Sequence, residues 1–382
     1  MMDFSWTEEQ LAFKKAVIKF AQKELNTGII ERDRKGEISL ENWHKCAKFG
    51  IQGLPVPEEF GGSGADVLTV MLAMEGLGYG SRDNGLIFAI NAQMWSVQLP
   101  ILTFGSEEQK QKYLPGLCSG DLIGAHGMTE PDSGSDAYSL RTRADKVDGG
   151  YLINGTKMFV TNAPIADIAV VFATVDPNKG RSGITAFIVN KGMEGFHISR
   201  HLDKMGLRTS PMAEIILQNC YIPEENRLGK IGGGTSIFTN SMGWERSSIL
   251  GSQIGAMQYQ LETSIQYARE RRQFGQSIGK FQSVSNRIAD MKVRLETARL
   301  LLYNVAWTKQ QGKSAILEAA LAKLYLSECF VDSSLDAIRI RGGYGYMTEF
   351  EVERDLRDAI GGTIYSGTSD IQRTIIARLI GL

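Results

Sequence analysis

Hydrophobic residues recur every three or four positions over much of the chain, but a central stretch changes to alternation and short β-branched runs. The helical spacing covers residues 7 to about 120, where Thr7 with Gln10 and Ser106 with Gln109 match the capping box that begins a helix. The same spacing returns in the C-terminal part of the chain. The pattern therefore predicts two helical regions on either side of one β region.

The central stretch, residues 121 to about 225, reads as a compact β-domain. Asp148-Gly149 lies between two alternating runs and predicts a tight hairpin. Three β-branched runs bounded by turn residues predict further strands at 168–175, 184–189 and 215–221. Strands and helices do not alternate here, and no GxGxxG follows a strand, so the pattern disfavours a dinucleotide-binding Rossmann domain.

A long segment without proline, residues 232–275, predicts one long helix of about 35 residues, roughly 50 Å in length. One stripe of this helix is made mostly of small residues around a single acid. The stripe consists of Ser241, Glu245, Ser248, Ser252 and Gly255. Such a face allows a carboxylate to meet a flat ligand closely. The alternative is that Glu245 is a surface acid that pairs with Arg246 or caps the start of a helix.

Two further helices and a helical tail follow, which predicts a C-terminal bundle. The apolar positions of the first are Ile288, Met291, Leu295, Ala298, Leu302 and Val305. The second covers about 314 to 341, and the last helix begins near Ser369, with Gln372 completing a capping box. The predicted fold is mainly α with a central β-domain. We expect a helical domain at 1–120, a β-domain at 121–230 and a helical bundle at 231–382.

Composition narrows the partners. The chain has 382 residues, and 42 Lys and Arg against 43 Asp and Glu leave a net charge of −1, so we expect no nucleic-acid partner. Four cysteines without a CxxC pair and four histidines without HExxH spacing predict no metal site. The N-terminus has no signal-peptide pattern and no apolar run reaches about 18 residues, so we expect a cytoplasmic protein without a membrane partner.

Four segments carry polar residues where chemistry could occur. They are GMTEPDSGSD at 127–136, KMFVTNAP at 157–164, the end of the long helix at 271–274, and the start of the last helix at 366–369. The first offers hydroxyls and backbone donors to a heteroaromatic edge or a phosphate, and the last suits an anion at a helix N-terminus. Each segment taken singly also fits an ordinary surface loop, strand face or helix cap.

Taken in this order, the four segments resemble the signatures of the acyl-CoA dehydrogenase superfamily, and the resemblance runs from Phe4 to Leu382. The resemblance implies an N-terminal helical domain, a β-barrel-like middle domain and a C-terminal four-helix bundle. It implies FAD as cofactor, held partly by a neighbouring subunit, and a homotetramer. The residues implied to bind FAD are Met128, Thr129, Ser135, Phe159, Thr161, Arg271, Phe274, Gln282, Arg339, Gly342, Gly343, Thr368 and Asp370. Arg339 stands where the family usually has Gln.

The catalytic base is implied by a departure from the common pattern. Most family members carry a catalytic Glu where this chain has Ser366, and a serine hydroxyl is far too weakly basic to replace it. A smaller group, isovaleryl-CoA dehydrogenase among them, carries the base on the long helix in a sequence similar to Trp244-Glu245-Arg246. Glu245 is therefore the implied catalytic residue. The residues implied to contact the substrate are Ser135, Arg246, Ser366 and Gly367.

The implied reaction is α,β-dehydrogenation of an acyl thioester, with Glu245 taking the α-proton while the β-hydrogen leaves as hydride to the flavin. Within the superfamily the chain resembles most the prolyl-carrier-protein oxidases of secondary metabolism, the anatoxin-type enzymes in particular. Their substrate is L-proline tethered through phosphopantetheine to a peptidyl carrier protein. The electron acceptor, an electron-transfer flavoprotein or oxygen, stays open. The alternatives are a short branched-chain acyl-CoA dehydrogenase and a non-catalytic flavoprotein scaffold.

Overall fold

The first helical region is built as its capping signals predict. The protein is described here by a computed structural model that covers residues 6–382. The Thr7–Gln10 and Ser106–Gln109 capping boxes are both formed. The helices are α1 (Glu8–Glu24), α2 (Ile29–Lys35), α3 (Leu40–Phe49), α4 (Val67–Gly80), α5 (Asn84–Gln93), α6 (Leu99–Phe104) and α7 (Glu107–Ser119). A π-helical turn, Met94–Gln98, joins α5 to α6.

The stretch from α5 to α6, Asn84–Phe104, is long and apolar enough by length and composition to cross a membrane. However, 89% of its most apolar window is buried inside the protein. It is therefore explained as a core helix.

The middle region is one eight-stranded sheet. Its strands are β1 (Gly124–Gly127), β2 (Arg143–Val147), β3 (Gly150–Thr161), β4 (Ile168–Thr174), β5 (Ile184–Asn190), β6 (Phe196–His201), β7 (Met212–Pro223) and β8 (Arg227–Leu228). The order is β6-β7-β3-β2-β4-β5-β8, with β1 parallel to β4. The predicted hairpin is confirmed: Val147 pairs with Gly150 across Asp148-Gly149, and Gly149 has a φ of 70°.

The C-terminal region is a bundle centred on one helix. Its helices are α8 (Gly234–Ser248), α9 (Leu250–Glu270), α10 (Gln282–Gln310), α11 (Ile316–Arg341), α12 (Gly343–Tyr346), α13 (Val352–Gly362) and α14 (Ser369–Leu379), and β9 (Arg272–Gln273) pairs with β10 (Gln276–Ser277) between α9 and α10. Helix α11 packs against α9, α10, α13 and α14. The sequence pattern missed α13. The predicted fold class, mainly α with a central β-domain, is confirmed.

The predicted long helix is interrupted at Ile249, so α8 and α9 are two segments of one rod. Ile249 keeps helical angles (φ −58°, ψ −32°), but its N–H lies 3.3 Å from the Glu245 carbonyl. The Ser247 hydroxyl donates to the carbonyls of Trp244 and Gly243, at 3.0 and 3.4 Å. The same kind of side-chain bond at Thr263 and Ser327 leaves α9 and α11 continuous, so the interruption is a lengthening of one backbone bond and not an effect of Ser247.

The small-residue stripe serves helix packing over its C-terminal half, which the sequence analysis did not predict. A Cβ on Gly255 would lie 2.0 Å from the Glu75 carbonyl oxygen, and one on Gly78 would lie 1.9 Å from that of Ser252. Helices α4 and α9 therefore touch backbone to backbone. Of the stripe, the N-terminal part with Ser241 and Glu245 does not belong to this backbone contact.

Candidate active site

A widened helical turn presents a serine beside the site. In the turn Met94–Gln98, the Leu99 N–H bonds to the Met94 carbonyl, five residues back. Pro100 follows at once, and proline has no N–H to give to the carbonyl four residues before it, which is that of Ser96. Its ring would also crowd that carbonyl in a regular helix. The proline thus accounts for the π-turn, a feature frequent at functional sites.

Three contacts fasten α8 to this turn. The Ser241 hydroxyl donates to the Trp95 carbonyl at 3.2 Å. The rings of Trp95 and Trp244 lie parallel, with centroids 5.9 Å apart and 6° between their planes. The Ser96 hydroxyl donates to Glu245 Oε2 at 2.5 Å. Together these contacts fix the height and rotation of α8 relative to the turn, and thereby the position of Glu245.

The second oxygen of Glu245 is held from the corner before α14. Ser366 donates its hydroxyl to Glu245 Oε1. Ser366 has a left-handed backbone φ of 56°, which is unusual for residues other than Gly, Asn or Asp. Gly367 follows with a φ of 90°. Arg246 Nε donates to the Ser366 carbonyl at 3.1 Å, and Gln372 donates to the Gly367 carbonyl at 2.9 Å. The strained corner is therefore over-determined by its neighbours.

The predicted capping box at the start of α14 is wrong. Thr368, not Ser369, is the N-cap, and its hydroxyl accepts from the Ile371 N–H at 3.2 Å. The Gln372 amide reaches past the cap to the carbonyls of the corner instead. The difference arises because the corner's left-handed residues leave carbonyls that need donors, and Gln372 is the nearest amide.

Burial makes Glu245 a stronger base than an exposed glutamate. Burial raises the pKa of its carboxyl, while donation from Ser366 and Ser96 and the charge of Arg246 lower it. Its only hydrogen-bond partners among residues 6–382 are the two serines. The alternative interpretation, a surface acid paired with Arg246, is wrong because the guanidinium bonds the Ser366 carbonyl instead. A half-buried carboxylate that no cation binds therefore accepts a proton more readily than an exposed one.

The two predicted flavin-side segments lie next to each other. The Met158 N–H donates to the Thr129 carbonyl at 2.8 Å, which places the turn after β1 against β3. A buried ion pair, Lys157 Nζ to Glu130 Oε1 at 2.7 Å, anchors the same turn. Phe159 lies in a bulge of β3 with a φ of 56°, and 59% of its surface is exposed. Thr129 and Phe159 are thus brought together around an open aromatic face.

Other predicted residues of this group differ in their surroundings. The Met128 side chain is buried in the core beneath the sheet, whereas Ser135 is exposed and Thr161 is partly buried. Asn162, next to Thr161, donates to the Ala89 carbonyl on α5 at 3.0 Å. That contact ties the flavin-side strand to the helix that leads into the π-turn.

A second cluster lies at the far end of the α8–α9 rod. Arg271, Arg339, Gly342 and Gly343 line one groove of about 580 Å³. A Cβ on either glycine would meet no atom within 4 Å, so the backbone is open to a ligand. Phe274, with a φ of 49° and 93% exposure, lies beside this groove at the β9–β10 turn. Gln282 begins α10 shortly after it.

The structure does not join the two clusters within one chain. Arg271 follows the end of α9, whereas Glu245 lies in α8, and the 26 residues between them at 1.5 Å each span roughly 40 Å along the rod. Thr368 and Asp370 begin α14 at the Glu245 end. The predicted cofactor residues therefore form two half-sites.

Three contributors to the site were missed by the sequence analysis: Ser96, Asn162 and Gln372. The signal for Ser96 was a proline four residues after a serine within an apolar helix. The signal for Asn162 was an asparagine directly after a strand, where left-handed angles are common; its φ is 67°. Nothing in the local pattern distinguished Gln372 from a capping residue.

Comparisons with known proteins identify the family of the chain. Residues 7–121, 125–220 and 232–381 match the N-terminal, middle and C-terminal domains of acyl-CoA dehydrogenase. An L-prolyl-[peptidyl-carrier protein] dehydrogenase of Pseudomonas fluorescens is 44% identical over 382 residues, all of both chains. The crystal structure of the prolyl acyl carrier protein oxidase AnaB is 50% identical with a TM-score of 0.98, covering 99% of this chain and 100% of that one. A structure of PigA with FAD and proline is 42% identical with a TM-score of 0.98 over the full length of both. The predicted family is thereby confirmed, and the chain belongs to the acyl-CoA dehydrogenases.

Proposed function

We propose that this chain is an FAD-dependent dehydrogenase or oxidase that converts L-prolyl, tethered through phosphopantetheine to a peptidyl carrier protein, into a dehydroprolyl thioester. The proposal is supported by the relatives, which include prolyl-carrier-protein dehydrogenases and oxidases along the whole chain. The observation that carries it is Glu245, held by Ser96 and Ser366 without a counter-ion, in the position of a base.

The two half-sites fit the cofactor. Phe159 offers an exposed ring beside the Thr129 turn, which suits a flat isoalloxazine. The open glycines and Arg271 of the far groove suit a pyrophosphate, since guanidinium pairs with phosphate oxygens and glycine lets the backbone approach closely. When bound, FAD supplies the acceptor for the hydride.

The roles proposed for the chain's own residues follow from the contacts between Glu245 and the Ser366–Gly367 corner. Glu245 takes the proton α to the thioester carbonyl, and its raised pKa favours that transfer. Proton uptake neutralises the buried carboxyl, which removes the cost of keeping a charge there. Arg246 holds the Ser366 carbonyl and keeps the left-handed corner closed over the site.

The choice of a small cyclic acyl group is consistent with the same corner. Ser366 replaces the larger acid that most family members place there, so space is available beside Glu245. The proline ring and its amine would lie between Glu245 and the flavin. The carrier follows from the relatives, because two of them act on carrier-bound proline.

A direct comparison of substrates tests the proposal. Purified holoenzyme is mixed anaerobically with L-prolyl carrier protein, prolyl-CoA and isovaleryl-CoA, and flavin bleaching is followed together with the mass of the acyl group. We expect bleaching and loss of two hydrogens with the prolyl carrier protein alone. If isovaleryl-CoA is turned over in preference, the protein is a branched-chain acyl-CoA dehydrogenase and the proposal is wrong. If no thioester bleaches the flavin, the result favours a non-catalytic flavoprotein scaffold. Reoxidation by air or by electron-transfer flavoprotein identifies the acceptor.

We also propose that the cofactor is shared between copies of the chain, as in the homotetramer expected from the family. The roughly 40 Å between Glu245 and Arg271 supports this, because the two ends of one cofactor then contact different chains. A mixed oligomer provides the test: Glu245→Gln and Arg271→Ala chains are each prepared alone and then co-expressed. The mixed oligomer contains sites with an intact Glu245 and an intact partner Arg271, so we expect activity to return. If mixing restores nothing, each chain binds its own cofactor.

A further inference from the structure

We propose that Ser96, presented by the π-turn Met94–Gln98, is a positioning residue for Glu245. In this role it sets both the direction and the proton affinity of the carboxylate. The inference rests on the proposed function of Glu245 as the base. Ser96 itself is 3% exposed and donates to Glu245 Oε2, so its hydroxyl serves the carboxylate and is not needed for a ligand.

The geometry requires the π-turn. In a regular helix, the residue at position 100 would bond to the Ser96 carbonyl, and the turn would be one residue tighter. Pro100 prevents that bond, and the widened turn leaves the Trp95 carbonyl to accept from Ser241 on α8. The Ser96 hydroxyl then meets Glu245 one turn further along the same helix. A proline in one helix thus determines the height at which a serine meets an acid in another.

Within the described part of the chain, the charged and titratable groups near the Glu245 carboxylate do not hydrogen-bond to it, so the two serine hydroxyls are its direct contacts. Arg246 precedes Ser247 on the same helix and directs its guanidinium to the corner, and Tyr365 lies in that corner with its hydroxyl accepting from Gln253 at 2.7 Å. Lys323 on α11 lies near Arg246, and Lys309 on α10 bonds the Gly243 carbonyl on another side of α8. None of these cations hydrogen-bonds Glu245 within residues 6–382. Donation from the serines stabilises the ionised form directly, whereas the nearby charge of Arg246 acts without a bond.

The two serines also fix the carboxylate plane. Each Glu245 oxygen accepts from one hydroxyl, and each keeps a second lone pair for the substrate proton. Loss of Ser96 leaves Oε2 without a protein donor in a buried setting. The carboxylate then has one fixed oxygen and a freer rotation, and its protonated form becomes more favourable.

The test compares Ser96→Ala, Ser96→Cys and a matched control, Ser247→Ala. Ser247 is a buried serine two residues from Glu245 whose hydroxyl bonds only to carbonyls of its own helix. The rate of flavin reduction is measured against pH in rapid mixing. In Ser96→Ala, we expect the midpoint of the acid limb of the pH–rate profile to move up by about one pH unit. Ser96→Cys, whose thiol donates weakly, falls between, and Ser247→Ala keeps the limb of the parent. KM for the thioester changes less than kcat.

A second measurement does not depend on turnover. Infrared titration follows the carboxylic C=O stretch that disappears in Glu245→Gln, and its midpoint is expected to rise in the same order as the acid limb. If no thioester is turned over, this titration still reports on the contact between Ser96 and Glu245, so a wrong substrate and a wrong role for Ser96 are told apart. An unmoved midpoint in Ser96→Ala, or an equal shift in Ser247→Ala, overturns the proposal.

Pro100→Ala tests the part played by the turn. Alanine restores the N–H that a regular helix would use, and we expect the turn to tighten and the midpoint to move in the same direction as in Ser96→Ala, by a smaller amount. A Pro100→Ala titration that overlies that of the parent would show that the π-turn does not place Ser96.

Discussion

Two glutamates, the buried Glu75 on α4 and the half-buried Glu245 on α8, have opposite electrostatic surroundings. Glu75 on α4 is 1% exposed and is bound by Lys14 at 2.6 Å, Arg299 at 3.2 Å and the Tyr303 hydroxyl at 2.6 Å. Glu245 on α8 is bound only by serine hydroxyls among the residues described. Burial raises the pKa of both carboxyls, but the cations bring that of Glu75 below its usual value, while that of Glu245 stays above it.

The difference shows what separates a structural acid from a base in this fold. Lys14 on α1 and Arg299 on α10 hold Glu75 ionised, and their ion pairs with Glu75 connect these two helices to α4. Neutral donors orient Glu245 but leave its charge uncompensated, so it can take a proton. The proposed catalytic role of Glu245 thus depends on neighbours that are hydroxyls, whereas the neighbours of Glu75 include two cations.

The largest expected effect is on the reaction. Glu245→Gln keeps the shape of the side chain and removes the base, so flavin reduction by the thioester is expected to fall by about 10²–10⁴-fold. Glu75→Gln is the matched control, and its rate at a temperature where it is folded should stay close to that of the parent. Stopped-flow absorbance measures both. Bleaching in Glu245→Gln as fast as in the parent would remove Glu245 from the reaction.

The next effect is on stability. Glu75→Gln leaves the partly buried Lys14 and Arg299 without their shared anion, and we expect a loss of about 1–3 kcal/mol in the free energy of unfolding. Chemical denaturation with urea measures the change. Replacing Glu75, Lys14 and Arg299 together by apolar residues of similar size should recover much of the loss, since no unpaired charge then remains. A triple variant as unstable as the single one would contradict this account of Glu75.

The sequence predicted much of the fold because its signals are local. The capping boxes of α1 and α7, the Asp148-Gly149 hairpin and the apolar stripe of α10 depend on a few neighbouring residues. The close contact of Gly255 depends on Glu75, far away along the chain, and a one-dimensional pattern does not show it. Glu245 was found through the absence of an acid at Ser366. Ser96 was missed because the acid that it contacts, Glu245, lies 149 residues further along the chain.

The third effect is on the acid limb of the pH profile. Arg246→Gln removes the cation that lowers the pKa of Glu245, so we expect the midpoint for flavin reduction to rise by about one pH unit, near 1.4 kcal/mol. Arg246→Lys keeps the charge and should leave the midpoint nearer that of the parent. Lowered rates at every pH with an unmoved midpoint would mean that Arg246 acts only by holding the Ser366 carbonyl.

The smallest effect separates the two acids by sign. Glu245 has a raised pKa in the folded state, so its contribution to stability is fully present below its unfolded value of about 4.3 and is lost as the pH rises through the folded value. Glu245→Gln, which stays neutral, should therefore be more stable than the parent by about 1 kcal/mol at neutral pH, and the gap should close on acidification. Glu75 has a lowered pKa, so its contribution is present above the unfolded value and is lost as the pH falls through the folded one. The difference in stability between Glu75→Gln and the parent should also shrink on acidification. In this case, however, the variant is the less stable of the two proteins at neutral pH. Melting curves of the parent and both variants at several pH values measure these two differences in stability. If both variants differ from the parent in the same direction, the hydroxyls around Glu245 and the cations around Glu75 do not have the opposite effects inferred from their contacts.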